Sequence, residues 1–182
     1  FNVKQDSHGY YWIATNKKGL IRSDRSTNKT VTVSLPNTIK NESLRFDIIT
    51  EDSRGSIWAG SSNGLFKINT VSMLTEYFSE ASGLNYPEIN AIMEDNNHLM
   101  WIGTVGGGIN KMTPLNTGFK NFNLNKNGVG TYVMGLQQAG NDIWFQNIWD
   151  EVGKINMQSG QITLLTSPSQ SEGFRWYSEG TI

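Results

Sequence analysis

The sequence contains no cysteine among its 182 residues, and its 15 basic and 16 acidic side chains nearly balance. The missing cysteine excludes a disulfide-stapled scaffold and a zinc site built on cysteine. The charges are mixed along the chain without a basic stripe, so we expect no nucleic acid as a partner. The apolar runs are far too short to span a bilayer.

No long segment keeps a helical period. The chain instead carries short β-favouring runs separated by turn residues, with 19 glycines and 11% aromatic residues. This composition is typical of a turn-rich, all-β protein. The sequence contains no phosphate-binding loop, metal-ligand spacing or nucleophile elbow, and we expect neither a cofactor nor a metal.

One stretch recurs along the chain. It is clearest at residues 52–65 (DSRGSIWAGSSNGL) and returns at 6–20, 95–109 and, more weakly, 141–153. A fixed repeat step is the signature of a repeat architecture. The repeated tryptophans, at steps of 46, 43 and 43 residues, are Trp12, Trp58, Trp101 and Trp144.

Each part of the repeat has a physical role. The Asp-x-x-Gly segment predicts a tight turn, in which Asp bonds nearby backbone and Gly takes a positive φ. The Ile-Trp-Ile type run predicts a strand. We expect each tryptophan to be core, wedged between neighbouring sheets. A sugar-stacking platform is the alternative, but a ligand site would not need the same ring in every copy.

About 43 residues accommodate four antiparallel strands, which is one blade of a β-propeller. We therefore predict an all-β propeller of about four four-stranded blades, followed by the first strand of a fifth. The whole chain is one partial propeller, and its expected blades are residues 1–44, 45–87, 88–130 and 131–172, with 173–182 opening the next blade.

The pattern D-x-x-G-x-[I/L]-W-I-[G/A]-T-x-x-G-[L/I] resembles the two-component regulator propeller repeat. Residues 100–104 (MWIGT) match that repeat almost letter for letter, and the fourth copy departs from it. The resemblance implies the periplasmic sensor region of a hybrid two-component system of Bacteroides type. In that family a membrane helix, a histidine kinase, a receiver and a DNA-binding domain follow the sensor, so the only membrane contact would be through that helix.

The family's propellers have seven blades, so we expect this chain to be a fragment of a seven-bladed ring. An open ring leaves strand edges and apolar blade faces exposed. We therefore expect self-association through those faces, or a larger ordered chain. The number of blades in the parent protein and the oligomeric state do not follow from the sequence.

In a propeller blade, the loops that connect blades and the hairpins between second and third strands emerge on one face. These loops differ between the copies, as a ligand site demands. Aromatic rings stack on sugars, and Arg forks onto hydroxyls or carboxylates. The alternative is that the rings pack between blades. The candidate ligand-binding residues are Arg45, Phe46, Tyr86, Tyr132, Trp149, Asp150, Arg175, Trp176 and Tyr177.

The fourth copy breaks the pattern most clearly, because Trp149, Asp150 and Glu151 replace the usual Gly-containing hairpin. An exposed tryptophan beside two carboxylates is the strongest single indication of a site. An ordinary degenerate loop is the alternative. The repeated Glu51-Asp52 and Glu94-Asp95 pairs, by contrast, belong to turns on the opposite face.

The leading hypothesis is a non-enzymatic sensor module that binds a glycan breakdown product and signals to a kinase outside this chain. A propeller for protein interaction or dimerisation is the second hypothesis, with Trp149 and Tyr177 as anchors. A propeller lyase or glycosidase is the third. It is disfavoured because adjacent residues such as Asp150 and Glu151 point apart in an extended strand. The identity of the ligand does not follow from the sequence.

Overall fold

The computed structural model describes residues 2–36, 39, 44–113, 118–127 and 130–165. These residues form four antiparallel sheets of four strands each, and in each sheet the strands lie in sequence order. We call the sheets blade 1 to blade 4. The all-β propeller architecture predicted from the sequence is confirmed.

The strands are bounded as follows. Blade 1 contains β1 (Val3–Gln5), β2 (Tyr11–Ala14), β3 (Leu20–Asp24) and β4 (Lys29–Thr32). Blade 2 contains β5 (Phe46–Glu51), β6 (Ser56–Ser61), β7 (Gly64–Asn69) and β8 (Thr75–Phe78). Blade 3 contains β9 (Ile89–Glu94), β10 (Met100–Thr104), β11 (Ile109–Met112) and β12 (Phe119–Phe122). Blade 4 contains β13 (Val133–Ala139), β14 (Asp142–Asn147), β15 (Val152–Asn156) and β16 (Ile162–Leu164).

The described helical structure consists of two short 3-10 turns, Glu80–Ser82 and Leu124–Asn127. Within the described ranges, no helix is long and apolar enough to cross a membrane. The first strands of neighbouring blades contact each other, β5 with β9 and β9 with β13. The blades therefore meet along their first strands, which form the inner edge of the array.

The core lies between the blades. Trp12 packs against blade 2, Trp58 against blade 3 and Trp101 against blade 4, and all three rings are buried. Each burial of this kind stabilises the fold by about 1.5–3 kcal/mol or more. The expectation that these tryptophans are core is confirmed for the first three copies.

Trp144 differs from the other three, because it is only half-buried. It lies on the face of β14 that points away from blade 3, where a following blade would pack. The described residues provide no blade there. Lys154 lies 5.9 Å above the ring, as Lys111 lies 4.8 Å above Trp101. Trp144 was expected to be a core residue, but among the described residues it is only half-buried.

The glycine two places after Trp58 and after Trp101 permits the close approach of the next blade. A Cβ atom at Gly60 would lie 2.6 Å from Ile48 and 2.7 Å from Ile89, and a Cβ at Gly103 would lie 2.6 Å from Val133. Any larger side chain at either glycine would push the adjoining first strand outward. The Trp-x-Gly pattern in the sequence is therefore a packing requirement.

The Asp turn does more than the sequence indicated. Asp52 Oδ1 accepts the N–H groups of Arg54 and Ser56, and its Oδ2 accepts the indole N–H of Trp58 at 2.7 Å. Asp6 and Asp95 bind Trp12 and Trp101 in the same way, at 2.8 Å. The six-residue spacing thus joins each turn to its core ring.

A second set of hydrogen bonds joins neighbouring blades on the face that carries the Asp turns. The backbone N–H and hydroxyl of Ser7 donate to Glu51 of blade 2, and those of Ser53 donate to Glu94 of blade 3. We call this contact the inter-blade clamp. It explains why a glutamate precedes the aspartate in copies two and three, which sequence reasoning placed only on a turn.

Candidate functional site

The connecting loops and the hairpins between second and third strands lie on one face, which we call the loop face. Gly64 N–H donates to the carbonyl of Pro87, and Gly108 N–H donates to that of Thr131. Each bond joins a hairpin to the loop that enters the next blade. The arrangement expected from the propeller pattern is present, with the Asp turns on the opposite face.

The hairpins on the loop face share one internal design. The Thr104 hydroxyl accepts the N–H of Gly107 at 2.9 Å and donates to the carbonyl of Gly108 at 3.0 Å. Thr15 and Ser61 make equivalent contacts in blades 1 and 2. These hairpins are closed on themselves and carry small or polar residues at their tips.

Blade 4 builds the same hairpin from different residues. Asn147 Oδ1 accepts the N–H groups of Trp149 and Glu151, at 2.9 and 3.0 Å. The Glu151 carboxylate is buried, and it accepts the N–H of Gly130 at 2.8 Å and the side-chain amide of Asn147. A buried carboxylate with such partners fixes the hairpin against the connecting loop. Glu151 is therefore a structural residue, and the expectation of two carboxylates on the surface is wrong for it.

Trp149 is held outside this hairpin, with 55% of its surface exposed. Its ring lies directly over Gly130, because a Cβ atom built there would be 2.1 Å from Trp149 Cε3. Asp150 follows in the left-handed region with φ 58°, and its carboxylate accepts a bond from the Gln146 amide. The structure thus places the predicted Trp149 and Asp150 together on the loop face.

Tyr86 also lies on this face, in the loop that enters blade 3, and 36% of it is exposed. Its ring covers Gly106, where a Cβ atom would lie 2.5 Å from the ring. Tyr132, in the loop that enters blade 4, is half-buried, and its carbonyl accepts the N–H of Ile148. The Tyr86 ring thus seals the blade 3 hairpin, and both tyrosines leave part of their surface to solvent.

Arg45 is already engaged by protein groups. Its Nε donates to both oxygens of Asp47, at 2.8 and 2.9 Å, and its Nη2 donates to Glu88 of blade 3. The bond to Asp47 and that carboxylate's charge raise the pKa of Arg45. The guanidinium was expected to fork onto a ligand, but here it bridges blades 2 and 3.

Phe46 lies in the core and offers no surface to a ligand. It is fully buried between blades 1 and 2, and its ring centroid is 5.3 Å from that of Phe66. Its inclusion among the ligand-binding residues is corrected accordingly. The other expected site residues, Arg175, Trp176 and Tyr177, lie outside the described residues.

The described side chains do not assemble a metal site, because no group of three histidines or carboxylates converges within these ranges. His8 and His98 lie in the Asp turns on the opposite face from Trp149. His98 Nδ1 is 2.8 Å from Ser53 Oγ and 3.3 Å from Glu94 Oε1, so it supports the inter-blade clamp. The candidate site on the loop face therefore consists of an exposed aromatic surface with carboxylate and amide neighbours.

Residues 83–106, which span the Tyr86 loop and the strand of Trp101, match the model of the two-component regulator propeller family. This segment is similar to a two-component regulator propeller repeat. The resemblance drawn from the sequence is confirmed for the third copy. No curated protein sequence matches the chain significantly.

Solved structures share the propeller fold at low identity. The chain is 20% identical to the extracellular domain of BT3049 from B. thetaiotaomicron, described as a hybrid two-component system, with a TM-score of 0.74 and coverage of 90% of this chain and 22% of that one. It is 18% identical to the extracellular domain of BT4673 from the same organism, described as a one-component system, with a TM-score of 0.72 and coverage of 90% of this chain and 24% of that one. It is 17% identical to Sqt1 from Saccharomyces cerevisiae, with a TM-score of 0.65 and coverage of 85% of this chain and 44% of that one. The chain spans about a quarter of the length of the two bacterial structures.

The loop-face hairpin of blade 4 differs from that of the matched repeat. In the matched repeat, the hairpin after Trp101 is Gly-rich and its tip is covered by Tyr86. In blade 4, the hairpin after Trp144 carries Trp149 and Asp150 instead, and Trp149 lies over the connecting loop. The largest exposed ring of the described residues therefore stands where the repeat departs from its own pattern.

Proposed function

We propose that this chain is a non-enzymatic, extracytoplasmic sensor module of a two-component signalling protein, and that it reads a glycan breakdown product on its loop face. The propeller repeat at residues 83–106 supports the sensor role, together with the fold shared with extracellular domains of B. thetaiotaomicron two-component systems. The kinase it informs would lie outside this chain, and the periplasm is the compartment that fits this role.

The observation that carries the proposal is the position of Trp149. The ring is 55% exposed, yet the hairpin beneath it is fixed by Asn147 and by the buried carboxylate of Glu151. A rigid, exposed indole is preorganised for stacking on the C–H face of a sugar, because little side-chain motion remains to be lost on binding. Asp150 beside it provides acceptors for sugar hydroxyls.

Contacts between blades provide a route for the signal. Arg45 of blade 2 binds Glu88 of blade 3 on the loop face, and Asn90 of blade 3 donates to the carbonyl of Val133 in blade 4. A ligand that changes the position of a connecting loop would change these contacts. We infer that the packing angle between blades is the quantity transmitted to the distant kinase.

A thermal-shift panel of polysaccharide-derived oligosaccharides tests the proposal. A ligand at about a hundred times its dissociation constant adds about 2.7 kcal/mol of stability. For a chain of this size, the melting temperature should rise by about 5–10 °C. The shift should disappear in Trp149→Ala, persist in part in Trp149→Phe, and be unchanged in the control Val71→Ala, an exposed residue in the β7–β8 turn.

A protein-interaction module is the second candidate, and one observation favours it. Ile148 and Met134 are each 49% exposed close in sequence to Trp149 and Tyr132, which gives this part of the loop face an apolar character. Buried aromatic anchors dominate many protein interfaces. If Trp149→Ala abolishes capture of a protein partner and no oligosaccharide shifts the melting temperature, the protein-interaction hypothesis replaces the glycan-sensor hypothesis.

A further inference from the structure

Two turns that blade 2 joins by a hydrogen bond are separate in blade 1. In blade 2, the Thr70 hydroxyl donates to the carbonyl of Gly55 at 2.9 Å, which joins the turn between β7 and β8 to the Asp turn. The corresponding residues of blade 1 are Arg25 and Gly9. An arginine has no hydroxyl for this contact, and no hydrogen bond between described residues joins the β3–β4 turn to the Asp turn of blade 1.

A cleft of about 500 Å³ opens between these two turns of blade 1, and we call it the turn cleft. Its volume lies within the range of about 300–1,000 Å³ that is typical of small-molecule sites. Tyr10 lies on the same face of blade 1 as Trp12, which packs against blade 2. The cleft therefore lies beside the interface between blades 1 and 2. Its lining residues are His8, Gly9, Tyr10, Asp24, Arg25 and Ser26.

The wall of the turn cleft is held by an arginine that departs from the repeat. In blades 2 to 4, the corresponding cation is a lysine that lies over the repeated tryptophan of its own blade. In blade 1 it is Arg22, which lies 4.5 Å above the Tyr10 ring and donates from Nη1 to the carbonyl of Thr70 in blade 2 at 3.1 Å. The cation–π contact and the bond to blade 2 fix the Tyr10 ring, so this wall is preorganised.

The groups left free in the turn cleft are hydrogen-bond donors. Among the described residues, none bonds the Arg25 guanidinium or the Tyr10 hydroxyl. The Asp24 carboxylate, by contrast, accepts bonds from the backbone and hydroxyls of Ser26 and Thr27. These bonds, that of the Ser26 hydroxyl first, lower the pKa of Asp24 to about 2 and leave its oxygens little capacity for a ligand. A free guanidinium fork matches the geometry of carboxylate and phosphate.

We propose that the turn cleft binds a small solute that carries a carboxylate or phosphate group, and that Arg25 holds this oxyanion. The bound anion joins the β3–β4 turn to the Asp turn, as the bond from Thr70 to Gly55 does in blade 2. The turn cleft lies on the opposite face from Trp149. This site is therefore separate from the glycan site proposed on the loop face, and either can exist without the other.

NMR titration of the chain with two simple oxyanions tests the proposal. Sodium phosphate and sodium acetate are each compared with sodium chloride at equal ionic strength. We expect at least one oxyanion to shift the Arg25 Nε–H and Gly9 amide signals in a saturable manner, and the one that does so identifies the group recognised. Arg25→Thr removes the fork and restores the residue type of blade 2, so the Gly9 shift should show binding weakened by about tenfold or more.

Two further variants distinguish a specific site from surface charge. Arg54 occupies the position of His8 in the Asp turn of blade 2 and is exposed, so Arg54→Ala should bind like the wild type. Arg25→Lys keeps the charge without the fork and should bind with intermediate affinity. Shifts no larger than those with chloride overturn the proposal. So does wild-type affinity in Arg25→Thr, or a loss in Arg54→Ala as large as that in Arg25→Thr.

Discussion

Asp52 and Trp58 are joined by a buried hydrogen bond of 2.7 Å from the indole N–H to the carboxylate. The same carboxylate closes the turn by accepting two backbone N–H groups. One side chain thus fixes both the hairpin and the ring that packs against the next blade. This double use explains why the aspartate and the tryptophan recur at a constant spacing.

Substitution of this aspartate tests the coupling. We expect Asp52→Ala to lower the free energy of unfolding by about 2–4 kcal/mol, because it leaves the Trp58 indole N–H buried without an acceptor and opens the turn. Urea unfolding followed by fluorescence measures the loss. Asp24→Ala, in an exposed turn where the carboxylate bonds only Ser26 and Thr27, is the control and should cost far less. Equal losses in the two variants would contradict the coupling.

The inter-blade clamp gives a second prediction. Glu94→Ala removes the acceptor for the backbone and hydroxyl of Ser53, so we expect about 1 kcal/mol of lost stability in urea unfolding. Glu94→Gln should lose less than half of that, because Gln138 already accepts the N–H of Asn96 in the equivalent contact between blades 3 and 4. A Gln variant as unstable as the Ala variant would show that the contact depends on charge.

A glycine substitution tests the position of Trp149. We expect Gly130→Ala to displace the indole, since the new methyl group would overlap the ring. The ligand-induced rise in melting temperature should fall to half of the wild-type value or less, and the free protein should also melt at a lower temperature, because the new methyl group would lie 2.8 Å from Asn147 Nδ2. Gly135→Ala, in the same blade and with no atom within 4 Å of the new Cβ, is the matched control and should bind normally. Loss of binding in both variants would indicate a general disturbance of blade 4.

The pair of Lys154 and Asp142 predicts a pH effect. The hydrogen bond from Lys154 lowers the pKa of Asp142, so the pair stabilises the fold above the ordinary pKa of about 4. That stabilisation is lost as pH falls through the lowered pKa. We expect Lys154→Met to return the pKa of Asp142 toward its ordinary value, as measured by carboxyl carbon NMR titration. Lys29→Met, an exposed control, should leave the Asp142 titration unchanged.

The strands and turns of the blades could be predicted from the sequence because the residues that determine them lie close together in the chain. The strands of blade 2 lie within residues 46–78 and those of blade 3 within residues 89–122, in step with the 43-residue spacing of the tryptophans. In blade 4, a tight Gly140-Asn141 turn replaces the longer Asp turn of the other blades, so the hairpin is longer and β13 runs to Ala139.

The site was harder to predict because burial on the loop face depends on the partner across the interface. Phe46 and Tyr86 both lie at or just before the start of an inner strand, but Phe46 is buried in the core and Tyr86 is partly exposed. The register of β5 and β6 shifts between Phe46 and Ile48, which sequence alternation does not reveal. Trp149 was identified because its hairpin departs from the repeat, and a departure of this kind is visible without coordinates.

The central claim is that Trp149 on the loop face receives the ligand while the repeat tryptophans remain core. Fluorine NMR of the chain labelled with fluorotryptophan tests this directly, once the Trp149 signal is assigned with Trp149→Phe. On titration with the oligosaccharide that gives the largest thermal shift, the Trp149 signal should move in a saturable manner, and the signals of Trp12, Trp58 and Trp101 should stay in place. A bound ligand that leaves the Trp149 signal unmoved would contradict the account.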